Sequence, residues 1–221
     1  MATNTPKKAA IMSYSPSSFL TVRVGKKNPQ EFLLHEGIIC ARSGFFHRAM
    51  NGNWAETDQR LVTLPEDDKK VVALYVNIIY TNNIIERSTF EQDCPTHQDQ
   101  ILTLTKLYIF AEKMMDKGAK NKTIETLLRV IKAHSNVKGN LPNGVAVEFM
   151  YANTLKGSCG RRLMVDLWYN SNADILADIL AESEIICKDF FIDLIRASSL
   201  QRPVNQRNIA LISKVDMYYE V

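Results

Sequence analysis

The sequence predicts an α+β fold, a small sheet covered by a cluster of helices and followed by an all-helical region. Three observations predict it. The stretch "FLTVRVGKKNPQEFLLH" alternates apolar and polar residues around a turn-rich centre. A second short apolar run, "RLVTLP", stops at a proline. From Asp67 onward the apolar spacing changes from two to three and four, the period of a helix.

Each element follows in order. Residues 1–16 are small and polar, with Pro6 and Pro16, and read as a flexible arm. Leu20, Val22 and Val24 alternate with Thr21 and Arg23, and "GKKNPQ" supplies the turn before Phe32, Leu33 and Leu34, so a hairpin is expected. Residues 60–65 are a third strand. In "DDKKVVALYVNIIYTNN", Val71, Leu74, Tyr75, Ile78 and Ile79 share one helical face. Asp67 and Asp68 stand at its start, where the helix dipole favours anions, and Asn82 and Asn83 end it. "ILTLTKLYIFAEKMM" is the next helix, with a break expected at Gly118. Ile124, Leu127, Leu128 and Ile131 mark a third.

Beyond a loop at 136–144 the pattern stays helical. Val145, Phe149 and Ala152 form one stripe, and Leu163, Met164, Leu167 and Trp168 another. Ile175, Leu176, Ile179 and Leu180 follow, then Phe190, Phe191, Leu194 and Ile195. A short helix is expected in the tail. The domain limits implied are 1–16 for the arm, 17–134 for the mixed domain and 135–221 for the helical region.

Composition narrows the function classes. Of 221 residues 46% are hydrophobic and 23% charged, ordinary for a globular chain. The 27 basic and 24 acidic residues leave a net charge of +3, too balanced for an electrostatic footprint on nucleic acid or membrane. Cys40, Cys94, Cys159 and Cys187 are widely spaced, which suits reduced, buried thiols in a cytoplasmic or nuclear protein. The first residues lack a signal-peptide pattern, and no apolar run approaches the ~20 residues that span a bilayer.

The stretch "FLLHEGIICARSGFFHRAM" holds His35, Cys40, Ser43 and His47, residue types used in nucleophilic and metal chemistry. Ser43 and His47 could share a helix face, but Phe45, Phe46 and Met50 crowd that short segment and no oxyanion-hole glycines lie nearby. Other constellations fail on spacing. Gly25-Lys26 has Phe19 and Leu20 where the first glycine of a phosphate loop belongs. Six residues after each cysteine stand Phe46, Gln100, Val165 and Asp193 rather than the arginine of a thiol-phosphatase cradle. His35, His47, His97 and His134 form no metal-ligand spacing. Glu182 and Glu184 read as a solvated helix end. "GSCGRRL" reads as a loop opening a helix rather than a thiol activated by Arg161 and Arg162. No catalytic residue, cofactor site or metal site is expected, and the chain reads as a non-enzyme.

In order along the chain stand Val22, Val24 and Gly25, then Phe32 and His35, then Ile39, Ser43 and Phe46. Val62, Leu64, Pro65, Glu66 and Asp67 follow, then Tyr75, Ile79, Tyr80 and Thr81, then "LTKLYIFAEKM". Together these resemble the BTB/POZ domain. The second half, with "LPNGVAVEFMYANT" and "RRLMVDLW", is similar to the helical extension of a large fungal branch of that family.

The resemblance implies a protein–protein interaction module. It turns residues 32–50 into framework, with His35 ending a strand, Ser43 capping a helix and Cys40 a small buried residue. It implies a homodimer through the first strand and first helix, at Leu20, Val22, Ile38 and Ile39, with an exposed N-terminal strand edge. It also implies a cullin-3 ubiquitin ligase substrate adaptor as one reading. An oligomerisation scaffold or transcription-related cofactor without a ligase role is the other. The family's cullin contacts fall at Phe46, Ala49, Trp54 and Glu56, with Ala49 where a methionine is usual. Trp54 also reads as helix-end packing within its own domain. The client of the C-terminal helices is not specified.

Overall fold

The computed structural model describes residues 19–52, 58–84, 94, 96–133, 140–169, 187–199 and 215–220. The chain divides into two compact units, residues 1–72 and 73–221.

In the first unit, β1 (Phe19–Val24) and β2 (Gln30–His35) form the expected antiparallel hairpin, with Leu20 opposite Leu34 and Val22 opposite Phe32. The turn needs left-handed backbone at Gly25 (φ 87°) and Asn28 (φ 49°), which glycine and asparagine adopt at low cost. The Lys69 ammonium donates to the Lys27 carbonyl at 3.2 Å and also to the Asn28 carbonyl, tying the turn down. β3 (Leu61–Leu64) lies parallel to β1, giving the order β2-β1-β3. This corrects the expected strand edge, because β1 is central and hydrogen-bonded on both sides.

Two short helices follow β2. α1 spans Glu36–Arg42 and α2 spans Gly44–Asn51. Ser43, extended at φ −105° and ψ 117°, separates them, and its Oγ accepts the Phe46 amide at 3.2 Å. That bond satisfies one of the amides a helix start leaves open, as the sequence led us to expect.

α3 (Lys69–Thr81) ends with Asn82 at φ 55°, near the expected stop. In the second unit α4 (His97–Lys113) begins earlier than its apolar stripe. The Thr96 hydroxyl accepts the Asp99 amide at 3.0 Å, and the Asp99 carboxylate accepts the Thr96 amide at 3.3 Å, a reciprocal capping box. The chain then reverses at Met115 (φ 54°), not at Gly118, which lies inside α5 (Lys117–Ala133). Asp116 supplies the stop and the start: its Oδ1 accepts the Ala119 amide at 2.9 Å.

α6 (Gly144–Asn153) is capped by Asn143, whose side chain accepts the Ala146 amide at 3.1 Å. Its buried face is Ala146, Val147, Met150 and Tyr151, whereas Val145 is 48% exposed and Ala152 is exposed. The expected stripe of Val145, Phe149 and Ala152 is therefore corrected by one position. The helix is apolar almost all round, so periodicity could not choose the face. α7 (Cys159–Tyr169) buries Leu163, Met164, Leu167 and Trp168 as expected, and α8 (Lys188–Ser199) buries Phe190 and Leu194. Val215–Tyr218 form a 3-10 turn. The arm at 1–16 and the stripe at Ile175–Leu180 lie outside the described residues.

α4, α6 and α7 share one core. The Tyr108 hydroxyl accepts the Gly160 amide at 3.1 Å. A Cβ at Gly160 would lie 2.7 Å from both Tyr108 Cε1 and Met150 Sδ, so α7 approaches α4 and α6 more closely than an alanine allows.

Candidate functional site

The four reactive side chains near residue 40 do not assemble. His35 ends β2 with its ring 4.5 Å from that of Phe19. Cys40 is half-buried, and that burial raises its thiol pKa, which keeps it a neutral, poor nucleophile. Ser43 is fully buried with its oxygen on the Phe46 amide, while His47 is exposed on α2. These are the positions of framework residues.

The residues expected to meet partners separate into two groups. Leu20 and Val22 are fully buried and Ile39 is 1% exposed, so their side chains have almost no surface left for a second copy. Ile38, on the next face of α1, stays partly open, beside exposed Gly37 and Ala41. Leu33 on β2 is 67% exposed, and no further strand pairs with the second edge of β2 among the described residues. The same correction applies to Phe46. At 1% exposure it belongs to the core, pointing inward from α2 with Met50, while Ala49 is half-buried. Trp54 and Glu56 lie outside the described residues.

A polar cluster that sequence reasoning missed lies in the second unit. Lys120, nearly buried, sits 3.1 Å from a Glu112 oxygen and 2.7 Å from a Glu220 oxygen, above the ring of Tyr108. The Tyr108 hydroxyl also donates to Glu220 at 3.3 Å. Burial alone would raise the Glu220 carboxyl, but the hydrogen bond and charge of Lys120 outweigh it and hold the pKa below the ordinary range. Burial and the nearby Glu220 charge push the Tyr108 phenol far above its usual value. The neighbouring Tyr219 hydroxyl meets Glu125 at 2.5 Å; burial and that bond push Tyr219 up to about 12. Burial opposes ionisation of Glu125, but hydrogen bonds from Tyr219 and Lys122 win and lower it. Tyr218 is fully buried and donates to Asp166 at 2.9 Å. One signal was legible. Lys120 stands four residues before Ile124 and seven before Leu127, on a buried stripe where a lysine needs a counter-charge.

The BTB/POZ domain family model matches residues 13–128. The chain belongs to the BTB/POZ family. A comparison with curated proteins finds no relative that matches. The matched segment of this BTB/POZ chain carries β1 through most of α5, so the hairpin, the α1–α2 pair and β3 are family framework. The fold is the α+β fold of that family with a helical C-terminal region. BTB/POZ domains are protein–protein interaction modules. Among the described residues no group of three His, Cys, Asp or Glu could hold a metal ion, and no helix is long and apolar enough to cross a membrane.

Proposed function

We propose that this BTB/POZ chain is a homodimerising, non-enzymatic adaptor, cytoplasmic or nuclear, that brings a client held by its C-terminal helices to a second protein. The observation that carries it is the exposed apolar edge of the first unit, where 67%-exposed Leu33 flanks a β2 edge that meets no further strand among the described residues. Ile38 is the α1 residue available to join it; Leu20, Val22 and Ile39 support such an interface from the core beneath.

In the adaptor reading the second protein is cullin-3, met by Ala49 with Trp54 and Glu56. Burial of Phe46 favours the scaffold reading instead, because a contact the resemblance assigns to it is already spent inside the chain. One measurement tests the pairing and a second separates the two readings. Light scattering across micromolar concentrations gives twice the 25.1 kDa chain mass if the chain pairs, and Leu33→Asp halves it. A monomer throughout overturns the dimer. Calorimetry with a cullin-3 N-terminal fragment gives heat that Trp54→Ala or Glu56→Lys abolishes, and Ala49→Met strengthens binding by ~1–2 kcal/mol of added apolar contact. No heat at high micromolar concentration leaves the scaffold.

A further inference from the structure

The segment Val215–Glu220 is held in a way unlike the packing around it. Asn121 addresses its backbone in both directions: the side-chain oxygen accepts the Glu220 amide at 2.8 Å, and the side-chain nitrogen donates to the Glu220 carbonyl at 3.4 Å. A carboxamide paired with both the N–H and C=O of one residue reads main chain regardless of side chain, the chemistry by which proteins hold extended peptides. Side-chain selectivity comes from three further points. A slot takes the Tyr218 ring, with Asp166 accepting its hydroxyl and the Arg162 guanidinium 5.3 Å from the ring centre. Glu125 accepts the next tyrosine's hydroxyl. Lys120, with 9% of its side chain exposed, takes the glutamate.

These readers come from α5 and α7, with Tyr108 of α4 behind them. They bind the segment by charge, hydrogen bonds and one buried aromatic, while Met217 of the same segment stays 44% exposed. We propose that this face is a peptide-binding groove, filled in cis by residues 215–220, and that a partner presenting a tyrosine–tyrosine–acidic segment binds it by displacing them. The cis occupant is seated in the structure, and its charge matches the lysine beneath it. A tethered occupant competes at an effective concentration of about millimolar, so the groove answers to strong or locally concentrated partners. This stands apart from the dimer reading, since no residue of the first unit takes part.

The experiment uses the full chain and a fluorescein-labelled peptide of sequence VDMYYE. In the chain carrying Tyr218→Ser and Glu220→Ser, fluorescence polarisation shows saturable binding, roughly tenfold or more tighter than to the unaltered chain. Replacing the peptide's glutamate by lysine, or its first tyrosine by alanine, removes that binding. No binding to the doubly altered chain, with its circular dichroism intact, overturns the proposal, as does equal binding of the lysine peptide. If the altered chain fails to fold, the unaltered chain carrying 3-fluorotyrosine decides. Excess unlabelled peptide must move the Tyr218 and Tyr219 fluorine signals to their solvent positions, and signals unmoved at ~1 mM peptide overturn it.

Discussion

Arg23 meets Glu31 at 2.8 Å in the first unit, and Lys120 meets Glu220 at 2.7 Å in the second. The distances are alike and the surroundings are not. Arg23 and Glu31 are 44% and 53% exposed, across the hairpin face, whereas Lys120 keeps 9%. Water screens the first pair and already solvates each partner, so forming the pair changes little. Around Lys120, two carboxylates, a phenol ring and the tail replace water. The lysine carries the network, and removing it leaves two partly buried carboxylates without their cation. The sheet unit is held by its apolar strand faces with ion pairs as trim. The helical unit has placed part of its stability in a network.

The largest effect expected from that contrast is at Lys120. Lys120→Met keeps the aliphatic bulk but leaves Glu112 and Glu220 facing each other without a cation, and should cost about 3 kcal/mol in chemical denaturation. Gly160→Ala comes next. The added methyl has Tyr108 and Met150 within 2.7 Å, so α7 must shift from α4 and α6, at a cost of about 2 kcal/mol.

Acid should act on the same network. The Glu220 and Glu125 carboxyls are held below their ordinary values when folded, so unfolding takes up protons. Their contribution is fully present above the unfolded carboxyl value of about 4.3 and is lost as pH falls through the folded values. Fluorescence should therefore report the tail loosening below about pH 4, and the Lys120→Met chain should show less of this acid dependence. The smallest effect belongs to the exposed pair: Arg23→Met should change stability by under ~1 kcal/mol and lose even that in high salt. Equal losses for Arg23→Met and Lys120→Met would erase the distinction between the units.

Short-range order was the legible part of this molecule. The hairpin, β3, α3, the Ser43 cap and the α7 face all follow from alternation, helical spacing or one capping residue. Features that depend on a distant partner were not. The position of β1 in the middle of the sheet rests on parallel pairing with β3, which no local pattern encodes. The reversal at Met115 rather than Gly118 rests on Asp116, whose carboxylate both caps α5 and receives the Tyr75 hydroxyl at 3.4 Å. The start of α4 lies before its apolar stripe because the Thr96–Asp99 capping box, not apolar spacing, sets it. Phe46 and Ile39 were assigned to partners because a family pattern names residues without saying which way they point. The strap of 215–220 had no local signature, since all its partners lie about fifty to a hundred residues away.

The parallel placement of β3 also sets an order of events in time. β1 and β2 close a hairpin across a short turn, a step of about 1–10 μs. β3 reaches β1 only after a crossover that contains β2, α1 and α2, and closing so long a loop has a higher entropic cost. During synthesis the hairpin therefore emerges with one side of β1 bare. Until Leu61–Leu64 leaves the ribosome, Leu20, Val22 and Val24 belong to an open apolar edge. In that interval the residues most deeply buried in the finished chain are the ones that a chaperone, or a neighbouring nascent chain, meets first.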